Sequence, residues 1–173
     1  GSSTFIISNA SHHSKSMNWT DPVRIGFDKK EIIHPLVFDK YLILIASDGS
    51  FAVYNQTVVE KRGKIQLKDS EKIRIFKYDK RRILFVTTRN NLYETTIDTL
   101  FSTPGLKLID TNVETFDIDD TKGTQTLAYA KGNKIIRKIN DSSPNEEKIE
   151  GKVASLTIRE SFLFYVLHVN GLV

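Results

Sequence analysis

The sequence contains no cysteine. That excludes disulfides, Cys-based zinc sites and thiol nucleophiles together. A secreted β-rich domain of 173 residues often carries a bridge, so the absence points to an intracellular protein. Four Asn-x-Ser/Thr triplets, at Asn9, Asn18, Asn55 and Asn140, point the other way, but a chain rich in Asn, Ser and Thr makes such triplets by chance. No apolar run approaches the ~20 residues of a membrane-crossing helix, and no signal peptide is visible. Phosphate-binding glycine loops and the Gly-x-Ser-x-Gly elbow are missing. So are His-Glu-x-x-His and Asp-rich calcium spacings. No cofactor is expected. The opening Gly1-Ser2-Ser3 reads as the remnant of a cleaved tag, so the chain is expected to start inside a longer protein.

What is present suffices for a packed core. Hydrophobic residues make up 39% and charged residues 27%, outside the range of global disorder. The net charge is +4, a mild basic excess that permits an acidic partner without requiring one.

The strongest pattern is a recurring hairpin signal. Asp48-Gly49, Asn90-Asn91, Gly132-Asn133 and Asn170-Gly171 each follow an apolar run, and the turn starts lie 42, 42 and 38 residues apart. From residue 31 the units read 31–70, 71–111, 112–151 and a partial 152–173. Each opens with one strand, then a short turn, an apolar strand, a hairpin and a more polar strand. Fourth strands are expected at 64–68, 106–110 and 147–150. Phe38-Asp39-Lys40 and Tyr78-Asp79-Lys80 echo one another, and an Asp there fits a tight turn. The second strands are apolar on both faces, as strands covered on both sides must be. Residues 1–30 form a separate segment: a strand at 4–7, a polar loop over 9–18, and a strand at 23–27. Either strand is a candidate to pair with the C-terminal half unit. The best helical stretch is a single turn at 97–101.

A period near ~40 with this strand order resembles β-propeller repeats of the WD40-like or citron-homology type. The resemblance covers 31–173 and implies an all-β, propeller-like array of about three to four blades. Such an array is part of a larger propeller or is completed by a partner. The Trp-Asp and Gly-His dipeptides of true WD40 repeats are absent; Val53-Tyr54-Asn55 is the nearest shape to the first.

Chemistry-bearing residues are few. His12-His13 reads as a surface pair in a loop, His34 as a strand-end residue before Pro35, and His168 as the end of an apolar strand. Asp117, Asp119 and Asp120 are the densest carboxylates, with Asp117 and Asp119 on one strand face; a polar turn accounts for them better than an acid–base pair. The basic residues Lys77, Lys80, Arg81 and Arg82 surround one turn. If equivalent turns gather on one end face, Lys40 and Arg159 join them as a contact patch for phosphates or an acidic segment. Tyr41 and Tyr78 beside it suit base stacking.

These observations lead to a non-catalytic protein-interaction scaffold in a eukaryotic multiprotein complex of the nucleus or cytoplasm. Its partners would be other protein subunits. The alternative is a nucleic-acid-binding β-domain using the basic turn cluster. An enzyme or small-ligand propeller ranks third, for want of a convergent polar set.

Overall fold

The structure is a computed structural model. It describes the strand backbone at 3–7, 10–13, 16–19 and 23–27, and backbone with side chains over 31–168. The chain is all-β apart from one helical turn, and divides into two compact units, residues 1–65 and 66–173.

In the first unit, β1 (Ser3–Ile7) pairs antiparallel with β4 (Val23–Phe27), and β2 (Ala10–His13) pairs with β3 (Ser16–Trp19). The expected loop over 9–18 is thus largely a hairpin. Ser11, His12 and Asn18 are poor strand formers alone, and cross-strand pairing overrides their propensity. The unit's main sheet runs β5 (Ile33–Phe38), β6 (Tyr41–Ala46), β7 (Ser50–Asn55) and β8 (Val58–Lys64), all antiparallel in chain order. The β6–β7 turn is held by Asp48, whose Oδ1 accepts the Ser50 N–H at 2.9 Å, with Gly49 at φ 89°. β8 begins at Val58, ahead of the expected 64–68. Gln56, at φ 53°, makes a two-residue turn with Thr57, so the chain reverses at once instead of crossing a loop.

The second unit repeats this plan. Its first sheet comprises β9 (Ile73–Asp79), β10 (Arg82–Thr87), β11 (Leu92–Thr96) and β12 (Lys107–Asp110). The next comprises β13 (Thr115–Thr121), β14 (Thr124–Lys131), β15 (Lys134–Ile139) and β16 (Asn145–Lys148). The last has β17 (Val153–Arg159) and β18 (Phe162–Leu167). The turn α1 (Ile97–Phe101) sits between β11 and β12, capped by Thr96, whose side chain accepts the Thr99 N–H. The Asn170-Gly171 turn lies outside the described residues.

Matching hydrogen bonds mark the repeat. Thr88 N–H reaches Lys72 C=O and His168 N–H reaches Lys152 C=O, both at 2.8 Å and both across 16 residues. In the first unit Ser47 N–H reaches Ile32 C=O in the same place.

The sheets of the second unit stack face to face in chain order. β14 shows why its run at 127–130 is apolar on both faces. Leu127 and Tyr129 point into a core with Leu84, Val86, Leu92, Phe116 and Ile118. Ala128 and Ala130 point the other way, into a core with Ile135, Val153, Leu156 and Ile158. Strand alternation thus serves two cores from one strand. The alanines suit the second core because they let β17 approach closely.

Candidate functional site

The densest polar geometry lies where successive sheets of the second unit meet. Asp117 on β13, its side chain only 6% exposed, is the centre. Its Oδ1 accepts Lys77 Nζ from β9 at 2.9 Å. Its Oδ2 accepts the Ile158 backbone N–H from β17 at 2.9 Å and Arg159 Nη1 at 3.3 Å. One carboxylate therefore ties three sheets together. Charge-assisted bonds of this kind are about twice as strong as neutral ones.

The neighbouring aspartates do similar work. Asp119 Oδ2 accepts the Glu160 N–H at 2.7 Å, and Asp79 Oδ2 accepts the Asp120 N–H at 2.9 Å. Each of these bonds spans 41 residues, so the same bond is made twice, one sheet later each time. The Thr121 hydroxyl, bonded to Asp119, holds that carboxyl below the usual range against the opposing effect of burial, and the Glu160 N–H adds to the lowering. Asp120 faces back toward β10, where its Oδ1 accepts Arg82 Nη2 at 2.7 Å in a buried pair. Burial pushes the Asp120 carboxyl up, and Asp79 adds to this; Arg82 and Lys80 pull it down without cancelling the rise.

Two sequence expectations change. Asp117, Asp119 and Asp120 lie inside β13, not in a turn; the turn is Lys122-Gly123, with φ 53° and 78°. The Asp79 of the repeated Asp-Lys signature is an inter-sheet acceptor.

The six basic residues are placed as follows. Lys77 and Arg159 meet at Asp117. Arg82 is buried against Asp120. Arg81 pairs with Asp98 of α1 through two hydrogen bonds, on the surface. The Asp98 bond raises the guanidinium's pKa, and Arg81 in turn holds the Asp98 carboxyl low. Lys80 lies at φ 51° in the β9–β10 turn. Lys40 belongs to the first unit, its Nζ 5.3 Å from the Tyr41 ring centroid. Four of the six charges are thus matched by aspartates within the protein. For three of the four the cause is the spacing: residues ~40 apart in a repeat come face to face, with Asp one repeat after Lys77 and Arg82 and one repeat before Arg159, whereas Asp98 lies 17 residues after Arg81.

A different feature is open to partners. The face of β18 formed by Phe162, Phe164 and Val166 is 69%, 61% and 62% exposed. Among the described residues nothing pairs with the far edge of this strand. Outer strands elsewhere are charged: β8 carries Glu60, Lys61, Arg62 and Lys64, and β16 carries Glu146, Glu147 and Lys148. β18 carries no charge. Charged edges block unwanted pairing; β18 has the composition of the inner strand β6. The uncharged run Phe162–Leu167 was the available sequence signal.

Among the described residues no group of three or more potential metal ligands occurs. His34, half-buried on β5, has its imidazole pKa lowered by burial.

No family model matches the chain, and no curated protein matches it. A solved structure does. It is one chain of the S. cerevisiae complex described as a Dbp5 variant bound to Nup159, a Gle1 variant, IP6 and ADP. The TM-score is 0.53 at 11% identity, over 73% of this chain and 36% of that one. The likeness is one of fold. The chain spans about a third of the matched chain's length.

Proposed function

We propose that the chain is a segment of a β-propeller, with WD40-like or citron-homology-like blades, that serves as a non-catalytic scaffold for other protein subunits. The observation that carries this reading is the uncharged, exposed face of β18, a strand with the composition of an inner one. The repeated four-stranded sheets, stacked in chain order in the second unit, support the blade reading. The solved chain of similar fold comes from a multiprotein complex, which agrees with a scaffold. Nucleus or cytoplasm is the proposed location.

The alternative, nucleic-acid binding through the basic turns, is weakened by the aspartates that neutralise Lys77, Arg81, Arg82 and Arg159. It would need a steep fall of affinity with salt.

The test is isolation of the protein from nuclease-treated native extract, beside an F164K/V166K variant. The reading expects protein partners at fixed stoichiometry with the wild type and their loss in the variant, with melting unchanged. A lone monomer, or a complex dissolved by nuclease, would sink it.

A further inference from the structure

Two loops of the second unit place a hydroxyl residue directly before a proline: Thr103-Pro104 and Ser143-Pro144. They lie forty residues apart, at the same place in successive repeats, between the third and fourth strands of their sheets. Both hydroxyl residues are exposed, and neither has a hydrogen-bond partner among the described residues. Thr103 stays exposed with the complete sheet β13–β16 packed on its own, so a neighbouring sheet does not cover this place in the repeat.

Proline shapes both loops. It has no N–H to give to a strand ladder, and its ring keeps the residue before it extended. The hydroxyl is thus presented from extended backbone, the form in which a protein kinase holds its acceptor.

The two loops differ in what anchors them. On one side of Thr103, α1 buries Ile97 and Leu100, and the Ser102 N–H bonds to the Asp98 carbonyl. On the other side the Gly105 carbonyl accepts the Thr95 hydroxyl at 2.6 Å. Drawing residues 100–106 into a cleft would pull Leu100 out of the core. Around Ser143, every residue from 139 to 148 is exposed. The nearest anchor before it is Asn140, bonded twice to Gln125. After it, β16 is held by pairing with β15 and by the surface Lys134–Glu146 bridge at 2.8 Å. A surface bridge contributes little, and an edge strand with no buried side chain opens at low cost. Ile149, the next buried residue, can stay in place.

We propose that Ser143 is a phosphorylation site for a proline-directed protein kinase. The Ser143 Oγ attacks the γ-phosphorus of a nucleoside triphosphate. The Oγ–P bond forms as the bond from that phosphorus to the β–γ bridging oxygen breaks. The hydroxyl proton passes to the kinase's carboxylate base, and nucleoside diphosphate leaves. The product adds a charge of about −1.5 to −2 at neutral pH. It does so in a stretch that already holds Asp141, Glu146 and Glu147, so the outer edge of the β13–β16 sheet becomes strongly acidic. The site does not depend on the scaffold reading.

The folded protein, magnesium ATP and a purified proline-directed kinase test it, beside free peptides spanning residues 97–109 and 137–149. One phosphate is expected, located on Ser143 by fragmentation mass spectrometry, with kcat/KM within tenfold of the 137–149 peptide. Thr103 is expected to react more than tenfold more slowly in the folded protein than in its peptide. Ser143→Ala is expected to abolish the modification and Pro144→Ala to slow it at least tenfold, both with unchanged circular dichroism. Ser143 reacting more than tenfold more slowly in the protein than in its peptide, or Thr103 matching Ser143 in the protein, overturns the site. An acid-directed kinase, reading Glu146 and Glu147, that modifies Ser143 faster, or a smaller effect of Pro144→Ala, overturns the kinase class. Protein purified from its native cells in phosphatase inhibitors is expected to carry phosphoserine at 143, and unmodified Ser143 there overturns its use in the cell.

Discussion

Asp117 Oδ2 accepts the backbone N–H of Ile158, 41 residues further along the chain, at 2.9 Å. The bond is buried, and it joins β13 and β17, the first strands of two stacked sheets, outside any β-ladder. Removing the acceptor leaves a buried N–H without a partner, at a cost of about 1–3 kcal/mol. Lys77 and Arg159 reach solvent and are easily rehydrated. Asp117→Ala is therefore expected to lose about 2–3 kcal/mol in urea unfolding, and Asp117→Asn less, because its amide oxygen still accepts the Ile158 N–H. Equal losses for both would refute the backbone bond as the main contribution.

Arg82 and Asp120 form a buried pair whose carboxyl burial pushes upward, and Arg82 Nε has no recorded partner. Desolvation offsets much of the attraction in such a pair. Asp120→Ala alone strands the guanidinium and is expected to cost about 3–5 kcal/mol. The double replacement R82M/D120L is expected to come within about 1 kcal/mol of the wild type or to exceed it. A double variant as unstable as the single one would show that the pair contributes net stability.

The pH response has an identifiable source in Asp110. Burial pushes its carboxyl up, but Lys131 Nζ at 2.7 Å, the Thr111 N–H and the Tyr129 hydroxyl at 3.0 Å outweigh it and hold it low. A carboxyl depressed in the folded state takes up its proton first in the unfolded chain. Its stabilisation is present above the unfolded pKa of about 3.9 and is lost as pH falls through the lower folded value. Tyr129, its own pKa raised by burial and by Asp110, stays protonated throughout. Tyr129→Phe is expected to cost about 1 kcal/mol at pH 7 and to flatten the fall of melting temperature below pH 4. An unchanged acid slope would remove Asp110 as its source.

Gly63 on β8 stands opposite Phe51, whose buried ring lies over it. A Cβ at Gly63 would overlap the ring at Cζ and Cε1. Gly63→Ala is expected to destabilise the first unit by about 1–3 kcal/mol through overpacking. A compensating F51L/G63A variant that recovers stability would identify the ring contact as the cause, and no recovery would exclude it.

The repeat was legible because turn chemistry and apolar runs are local. Asp48-Gly49, Gly132-Asn133 and the apolar run at 83–87 show their roles in their own neighbourhoods. The inter-sheet ties were not legible, because Lys77 and Asp117 are partners only once the period is converted into stacked sheets. Read locally, Lys77, Arg81 and Arg82 form a basic cluster; read across ~40 residues, Lys77 and Arg82 each have an aspartate, and Arg81 finds Asp98 on α1. The hairpin at 10–19 was hidden because polar residues pair through the backbone as well as apolar ones do. The open β18 was legible in part: its lack of charge is a property of sequence, whereas its missing neighbour is a property of the sheet.

The central claim is that β18 is an inner-type strand that is covered in the native assembly. Backbone hydrogen exchange of the isolated protein and of its purified native assembly tests this most directly. The account predicts rapid exchange at Leu163 and Tyr165 in isolation and strong protection in the assembly, with Ile158 protected in both. Equally rapid exchange of Leu163 and Tyr165 in the assembly would contradict it.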